Sequence, residues 1–324
     1  MFNSDAGSSK GISDSVLQSV SIYDAARQAD IQPWANMECF QLGRGLQLST
    51  VDCLDLGDQQ IVRERQLAPI QKLGITPANF CTVSCCTFDP GFRFSQLGTS
   101  SAATMFFMPE QTEFDIYVPT GVQTAYVSLK QDALLDALRT LSPEQWECTP
   151  EQLQLFQAVQ QSALKTLINQ WLLMADSLRS PSGSVDDNLL LHSIAHITAA
   201  AAQNTAHPPL TERVQAFTVY RLARAFIADH LELDVVPTVV DICRVIGVSE
   251  RSLQYAFRAY VEMSPLAYLR LCRLNRARAT LRAADPHSTS VTTVAMRFGF
   301  LHIGRFSVDY KKIFAESPSA TLAS

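Results

Sequence analysis

The chain has 324 residues, more than one ordinary domain uses, so two domains are expected. Hydrophobic residues make up 47% and charged residues 18%, and no apolar run reaches the roughly 18 residues that a membrane helix needs. The polar N-terminus lacks the basic start and apolar stretch of a secretory signal, and the eight cysteines lack a disulfide-scaffold spacing. These features predict a globular cytoplasmic protein with reduced thiols and argue against a membrane partner.

The net charge of −5 conceals an uneven distribution along the chain. Residues 210–324 hold 15 Lys and Arg against 10 Asp and Glu, which leaves 11 basic and 21 acidic residues for the rest. A basic C-terminal part next to an acidic body is typical of a nucleic-acid-binding domain attached to another domain. The basic part is therefore the candidate DNA surface.

Short segments of alternating polar and apolar residues dominate the chain up to residue 130, and turn residues such as Gly57, Gly91 and Gly121 separate them. Many short strands with this spacing predict an antiparallel β-barrel or β-sandwich. We expect a cupin-like barrel over residues 31–142, preceded by a flexible segment over residues 1–30. The predicted strands include residues 46–51, 61–67, 79–85, 104–108, 113–118 and 123–129.

Beyond Lys130 the apolar residues recur every three or four positions, which predicts helices, first over residues 132–141. Thr149-Pro-Glu-Gln has the pattern of a capping box and predicts a helix with an apolar face from Leu153 to Met174. That face fits a homodimer interface and equally fits packing against the barrel. A further helix is predicted over residues 185–203, so residues 143–205 form a helical connector, and residues 204–209 are the predicted linker.

A helix-turn-helix pattern occupies residues 238–261. Gly247 suits the positive φ of the turn, and Ser249 is placed to cap the second helix. Leu253 and Phe257, four residues apart, are expected to face inward. Arginine and glutamine side chains read guanine and adenine edges in the major groove, and the outward face is well supplied with them. The outward residues are Arg251, Gln254, Tyr255 and Arg258.

The same pattern recurs about fifty residues later, where Ser290 caps a helix over residues 291–298, Gly299 makes the turn, and a second recognition helix covers residues 303–314. Its predicted outward residues are His302, Arg305, Ser307, Lys311 and Lys312, and its inward residues are Phe306, Tyr310 and Phe314. A long arginine-rich helix over residues 265–284 would hold the two units apart so that both enter successive major grooves. Its arginines form either a phosphate-contacting face or a solvated one.

The C-terminal motifs resemble those of the AraC/XylS family of bacterial transcription regulators. They include Ser264-Pro-Leu-Ala-Tyr-Leu-Arg and Val294-Ala-Met-Arg-Phe-Gly-Phe, and the match covers about residues 213–322. The resemblance implies a seven-helix DNA-binding domain over residues 206–324 that activates transcription beside RNA polymerase. It implies base contacts from Arg251, Gln254, Tyr255, Arg305 and Val308. Phosphate or flanking contacts are assigned to Ser249, Arg258, His302, Ser307, Lys311 and Lys312.

Two positions depart from the family pattern. Val308 stands where the family often has arginine, so the second unit is expected to read DNA more by apolar contact. Ala315 replaces a frequent glycine, which makes the turn at that position more demanding without threatening the fold.

The predicted fold class is therefore α+β and multidomain, with an N-terminal antiparallel barrel and an all-α double helix-turn-helix domain. The predicted function is a sequence-specific DNA-binding regulator, an activator controlled by a small-molecule effector, with no enzymatic activity, cofactor or metal. The alternatives are a thiol-based redox or metal sensor that uses Cys81, Cys85 and Cys86, or a cupin-like enzyme. Against the enzyme, the first histidines are His192 and His196, outside the barrel and without the adjacent glutamate of a zinc helix.

Overall fold

The computed structural model describes residues 16–32, 35–99, 104–177, 187–203 and 211–323. Antiparallel strands dominate its N-terminal part and helices its C-terminal part, so the predicted mixed architecture is confirmed. None of the helices in the described ranges is long and apolar enough to cross a membrane. The strands are β1 (Val16–Ile22), β2 (Asn36–Gln41), β3 (Ser49–Asp55), β4 (Gln59–Gln66), β5 (Ile70–Ile75), β6 (Phe80–Cys86), β7 (Arg93–Phe94), β8 (Leu97–Gly98), β9 (Met105–Met108), β10 (Glu113–Val118), β11 (Gln123–Lys130) and β12 (Gln154–Phe156).

The strands form two antiparallel sheets. The first sheet has seven strands in the order β1-β3-β4-β11-β6-β9-β12, and the second has five in the order β2-β5-β10-β7-β8. The closed barrel that the spacing predicted is not seen, because the strand pairs of the described residues leave the two sheets separate. Side chains from both sheets meet in one apolar core, where Phe106 of the first sheet packs on Phe94 of the second with ring centroids 5.0 Å apart.

Helices cover the other face of the first sheet and make up the whole C-terminal part. The helices are α1 (Ala25–Asp30), α2 (Gln131–Leu141), α3 (Pro143–Trp146), α4 (Gln161–Ser177), α5 (Asp187–Ala202), α6 (Thr211–Glu232), α7 (Val239–Ile246), α8 (Glu250–Val261), α9 (Pro265–Ala283), α10 (Val291–Arg297), α11 (Ile303–Phe314) and α12 (Pro318–Leu322). The helices α7 to α11 lie within a residue or so of the predicted bounds, because their caps and turn glycines are local signals.

The prediction of a flexible segment over residues 1–30 is wrong for its second half. β1 pairs along its whole length with β3, from Val16 opposite Asp55 to Ile22 opposite Ser49. Asp24 then caps α1 by accepting a hydrogen bond from the backbone N–H of Ala26 at 2.8 Å. Residues 1–15 lie outside the described residues.

The helix predicted to begin at the capping box of Thr149 is also wrong in its first part. Residues 154–156 instead form β12, which pairs with β9, because Leu155 and Phe156 bury on opposite faces of the first sheet. α4 begins only at Gln161. Its residues Ile168 and Trp171 bury against the first sheet, so packing against the sheet uses part of the predicted apolar face. The predicted linker over residues 204–209 lies outside the described residues.

Candidate nucleic-acid interface

The first helix-turn-helix unit, α7 and α8, is fixed by local hydrogen bonds. Thr238 and Asp241 form a reciprocal capping box at the start of α7. The backbone N–H of Asp241 donates to Thr238 Oγ1 at 3.2 Å, and the backbone N–H of Thr238 donates to the Asp241 carboxylate at 3.0 Å. Gly247 ends α7 at φ +70°, a left-handed conformation that favours glycine. Ser249 caps α8 by accepting from the N–H of Ser252 at 3.1 Å. The angle of the turn therefore follows from the sequence.

One face of α8 is buried and the other is open. Leu253 and Phe257 are fully buried in the core that α8 shares with α6 and α9, as predicted. On the opposite side Tyr255 is 55% exposed. Ser249, Arg251 and Arg258 are exposed and Gln254 is half-buried. The spacing of three and four residues from Arg251 to Arg258 puts these side chains on one helix face, so the structure brings together the predicted contacts of the first unit.

The second unit, α10 and α11, repeats this construction with one difference. Ser290 caps α10 by accepting from the N–H of Thr293 at 3.1 Å, and Gly299 takes φ +72° in the turn. The N-cap residue of α11 is His302, whose side chain makes no capping hydrogen bond. The predicted inward residues are buried and form a separate aromatic core; they are Phe306, Tyr310 and Phe314.

The positions assigned to base contact carry fewer hydrogen-bond donors on α11 than on α8. Val308 is 67% exposed, next to Arg305, which is also exposed. The remaining predicted contacts of this unit are His302, Lys311 and Lys312, which are exposed, and Ser307, which is half-buried. The second unit therefore offers one arginine, one open valine and a pair of lysines near its C-terminal end.

The two units match position by position except in the turn. From the cap of the first helix to the turn glycine, matching positions of the two units are 52 residues apart in the sequence. In the second helix and its cap they are 53 residues apart. The second unit therefore has one extra turn residue, and Leu301 in that turn is 79% exposed. The matching positions are Thr238 and Ser290, Gly247 and Gly299, Ser249 and His302, and Glu262 and Ala315, the last pair ending each recognition helix at φ +55° and +58°.

The long helix α9 joins the units, and its 19 residues span about 28 Å at the usual rise of an α-helix. Its arginines have partners within the chain, so the open phosphate-contacting face considered from the sequence is not what α9 presents. Arg278 bonds Glu316 at 2.9 Å and Asp24 at 3.2 Å. Arg270 pairs with Asp309, and Arg273 donates to the carbonyl of Phe298. Arg276 pairs with Glu232, and Arg282 pairs with Asp24.

Comparison with known proteins agrees with this geometry. A family model described as a helix-turn-helix domain matches residues 242–324. The probable thc operon regulatory protein of Rhodococcus erythropolis is 36% identical over 163 residues, which cover 47% of this chain and 48% of that protein. The XylDLEGF operon transcriptional activator 2 of Pseudomonas putida is 40% identical over 76 residues, which cover 24% of this chain and 48% of that protein. The C-terminal domain is of the AraC/XylS type.

The chain spans about half the length of these two relatives. A solved structure, described as a probable AraC family transcriptional regulator from Rhodopseudomonas palustris, has 30% sequence identity and a TM-score of 0.30. It covers 33% of this chain, and 95% of its own length is matched. By their names, the Rhodococcus protein is a probable operon regulator and the Pseudomonas protein is an activator of operon transcription.

Next to the AraC/XylS-type domain, the N-terminal part has a cavity of about 80 Å³ between its two sheets, which is partly open to solvent. Most of its wall is apolar, with Phe92, Phe94, Phe106, Met108, Phe114 and Ile116 among the residues that line it. The polar part of the wall includes Lys72, Gln32 and Tyr126. Lys72 forms a buried ion pair with Glu64, and the Tyr126 hydroxyl donates to Gln32 Oε1 at 2.7 Å.

The second sheet is the wall between this cavity and the AraC/XylS-type domain. In the register of β5 and β10, Lys72 lies opposite Ile116, and both line the cavity. Gln71 precedes Lys72 on β5, and Tyr117 follows Ile116 on β10. Their side chains point to the opposite face of the second sheet, where they contact the C-terminal helices. Successive side chains of a strand point to opposite faces, so each of these strands touches both regions.

The contact between the two regions centres on a buried polar cluster. Gln71 donates to the Asp115 carboxylate at 2.7 Å, contacts the hydroxyl of Tyr220, and accepts from that of Tyr268 at 2.6 Å. Arg224 pairs with Asp115 at 3.1 Å. Burial raises the pKa of the Asp115 carboxyl, and Arg224 offsets part of that rise. The cluster is not apparent from the sequence, because the partners of Gln71 lie far from it along the chain.

A second contact ties the C-terminal end of the domain to the N-terminal part. Asp24, the cap of α1, pairs with Arg278 and with Arg282 at 3.0 Å. Gln41 at the end of β2 donates to the carbonyl of Ile313 in α11 at 2.8 Å and accepts at its own carbonyl from Asn275 at 2.9 Å. Each helix-turn-helix unit is therefore connected to the N-terminal sheets.

The residues of the alternative functions lie in unreactive surroundings. Burial raises the pKa of the Cys85 thiol to about 12 and also raises the pKa values of Cys81 and Cys86, so all three thiols are protonated at neutral pH. His192 and His196 are exposed on α5. In the part of the chain that the structure describes, no group of three or more His, Cys, Asp or Glu could hold a metal ion.

Proposed function

We propose that this chain is a sequence-specific DNA-binding regulator of transcription, an activator, in which residues 206–324 bind double-stranded DNA. The observation that carries the proposal is the pair of matching helix-turn-helix units, each with a buried face and an open, basic face on its second helix. The matched relatives are named as operon regulators, which supports a regulatory role and not an enzymatic one.

The two recognition helices divide the work of reading DNA. Five exposed or half-buried side chains contact base edges in the major groove; they are Arg251, Gln254, Tyr255, Arg305 and Val308. Phosphate and flanking contacts come from Ser249, Arg258, His302, Ser307, Lys311 and Lys312, which fix the position of each helix without reading sequence. α9 sets the separation of the units, so that they enter successive major grooves on one side of the duplex.

The N-terminal part controls this binding. The two-sheet region from β1 to β12 is the effector domain, the helices α4 and α5 form a connector that also serves homodimer formation, and a small molecule occupies the cavity between the sheets. The alternation of β5 and β10 supports this mechanism, because a ligand that displaces Lys72 or Ile116 moves the same strands that hold Tyr220, Tyr268 and the ion pair of Arg224. The bound regulator recruits RNA polymerase to the promoter, in the bacterial cytoplasm.

Selection of bound sequences from random double-stranded DNA tests the DNA-binding proposal on the full chain. We expect a two-part site, and we expect the double variant Arg251→Ala/Arg305→Ala to lose the sequence preference while it keeps weak, salt-sensitive binding. Arg244→Ala is the matched control, because Arg244 is an exposed arginine on α7 rather than on a recognition helix. Equal loss in the control and the double variant, or no selected sequence, would contradict the proposal.

A further inference from the structure

We propose that the cavity between the two sheets takes a small uncharged molecule, an apolar ring with one polar group that accepts a hydrogen bond. This inference rests on the proposed function in one respect, namely that the cavity is the effector site. Three features of the cavity carry it: the shape and chemistry of its wall, the balance of charge beside it, and two buried polar groups without partners.

The wall favours an apolar body of limited size. The rings of Phe92 and Phe94 pack on that of Phe106 at centroid distances of 5.9 and 5.0 Å, and Phe114 and Met108 extend the same surface. A volume of about 80 Å³ corresponds to roughly five to eight water-sized groups. A six-membered ring with one small substituent is of this size.

The charge at the cavity is already balanced. Lys72 carries the ammonium group of the described lining, and it pairs with the carboxylate of Glu64, with side-chain exposures of 7% and 2% respectively. Gln28 donates a further hydrogen bond to that carboxylate. A carboxylate ligand would place a third charge beside this pair and leave one negative charge buried without compensation, and an ammonium ligand would do the same with a positive charge. An uncharged ligand leaves the pair intact.

Two polar groups of the wall remain available to a ligand. Gln32 is 1% exposed; its Oε1 accepts from the hydroxyl of Tyr126, but its Nε2 has no hydrogen-bond partner among the described residues. The buried Oγ of Ser84 also lacks a partner there, and Ser84 lies directly opposite Tyr126 in the pairing of β6 and β11. Buried donors without partners are costly, so an acceptor oxygen on the ligand gains the bond that these groups lack.

Binding of three single-ring compounds to the full chain at neutral pH tests the ligand class. Benzamide is uncharged, benzoate is its anionic counterpart, and benzylammonium is a cation of similar size. We expect benzamide to bind by calorimetry and to raise the melting temperature, with an affinity at least about ten-fold above that of either ion. The proposal is overturned if benzamide does not bind, or if either ion binds as tightly.

Two variants locate the contacts. Gln32→Leu removes the free donor and should weaken benzamide binding about five-fold, whereas toluene, which lacks the polar group, should be unaffected. Gln170→Leu on the exposed side of α4 is the control and should change neither. Glu64→Gln leaves Lys72 without its counter-charge, so benzoate should then bind more tightly than benzamide. Unchanged preference in Glu64→Gln would contradict the charge argument, and unchanged benzamide affinity in Gln32→Leu would contradict the hydrogen bond.

Affinity for the selected DNA, measured with and without each compound, separates this inference from the proposed function. If benzamide binds and changes DNA affinity, both are supported. If benzamide binds without any change in DNA affinity, the ligand class is supported and the effector role of the cavity is refuted. If benzoate is the compound that binds and changes DNA affinity, the effector role is supported and the ligand class is refuted.

Discussion

The two helix-turn-helix units of this domain share a backbone plan and differ in surface chemistry. Both begin at a hydroxyl cap, turn at a left-handed glycine and end their second helix in a left-handed residue. The outward face of α8 carries Arg251, Gln254 and Arg258, whereas α11 offers Arg305 and the open side chain of Val308. Local backbone signals therefore set the shape of a unit, and the side chains on its open face vary independently of that shape.

The units also differ in how they join the N-terminal sheets. The first unit belongs to an apolar cluster that includes Leu42 and Tyr117 of the sheets, beside the buried polar cluster at Gln71. The second unit has its own aromatic core and is tied to the sheets through ion pairs of Asp24 and through the carbonyl of Ile313. The two units therefore contact the N-terminal part through different kinds of interaction.

The largest expected effect is a loss of stability on substitution in the two separate apolar cores of the helix-turn-helix units. Phe306→Ala removes a ring that is 1% exposed and should destabilise the protein by about 3–5 kcal/mol. Leu253→Ala, at the matching position of the first unit, should cost about 2–5 kcal/mol. Amide hydrogen exchange should show lost protection in α10 and α11 for the first variant and in α7 and α8 for the second. Equal loss of protection in both units from either variant would mean that they form one cooperative core.

Substitutions on the outward faces of α8 and α11 should have the next largest effect. Arg251→Ala and Arg305→Ala should each weaken specific binding by about 1–3 kcal/mol, with the larger loss of base preference at the half-site of the first unit. Fluorescence anisotropy on single-base variants of the selected site measures both effects. If neither variant changed affinity while Lys311→Ala did, the division into reading and anchoring residues would be wrong.

Substitution of the turn glycines should reveal a smaller difference in stability between the two units. An alanine in the left-handed conformation costs roughly 1–2 kcal/mol, and this applies to Gly247 and Gly299 alike. A Cβ at Gly247 would meet nothing within 4 Å, whereas one at Gly299 would lie 3.1 Å from side-chain atoms of Val236 and Arg273. Gly299→Ala should therefore destabilise more than Gly247→Ala in urea unfolding. If Gly247→Ala destabilised the protein more than Gly299→Ala, the close approach of Val236 and Arg273 to Gly299 would be contradicted.

The smallest effect concerns the lysines of α11. Lys311→Ala and Lys312→Ala should each lower the slope of log affinity against log salt by about 0.9, if each side chain neutralises one phosphate. Both variants should keep the sequence preference of the unmodified protein, because phosphate contacts do not read bases. Lys130→Ala, in which an exposed lysine paired with Asp58 is removed from the sheets, is the control and should leave the slope unchanged.

The helix-turn-helix units could be predicted from sequence because their signals are short-range. Ser249 and Ser290 cap helices within three residues of themselves, and Gly247 and Gly299 need only their own backbone conformation. The strand β5 could not be predicted in the same way. Gln71 and Lys72 look like surface residues, and only partners far away in the sequence, such as Tyr268 and Glu64, make their burial favourable.

The wrong helix start at Thr149 has a related cause. Thr149-Pro-Glu-Gln has the residues of a capping box, but the hydroxyl of Thr149 accepts a hydrogen bond from Arg139 at 3.2 Å instead. Leu153, Leu155 and Phe156 suit a helical stripe, yet the edge of the first sheet at β9 offers them strand pairing and two apolar faces to fill. A local pattern was overridden by a neighbour about fifty residues away in the sequence.

The alternation of β5 and β10 has a consequence for how such proteins diverge. Positions that face the cavity without a fixed partner, such as Ile116, are free to change when a descendant adopts a new ligand. The residues between such positions, Gln71 and Asp115, are held by the polar cluster with the C-terminal helices. Among relatives that share this domain arrangement but sense other molecules, we therefore expect substitutions along these strands to fall on every second residue.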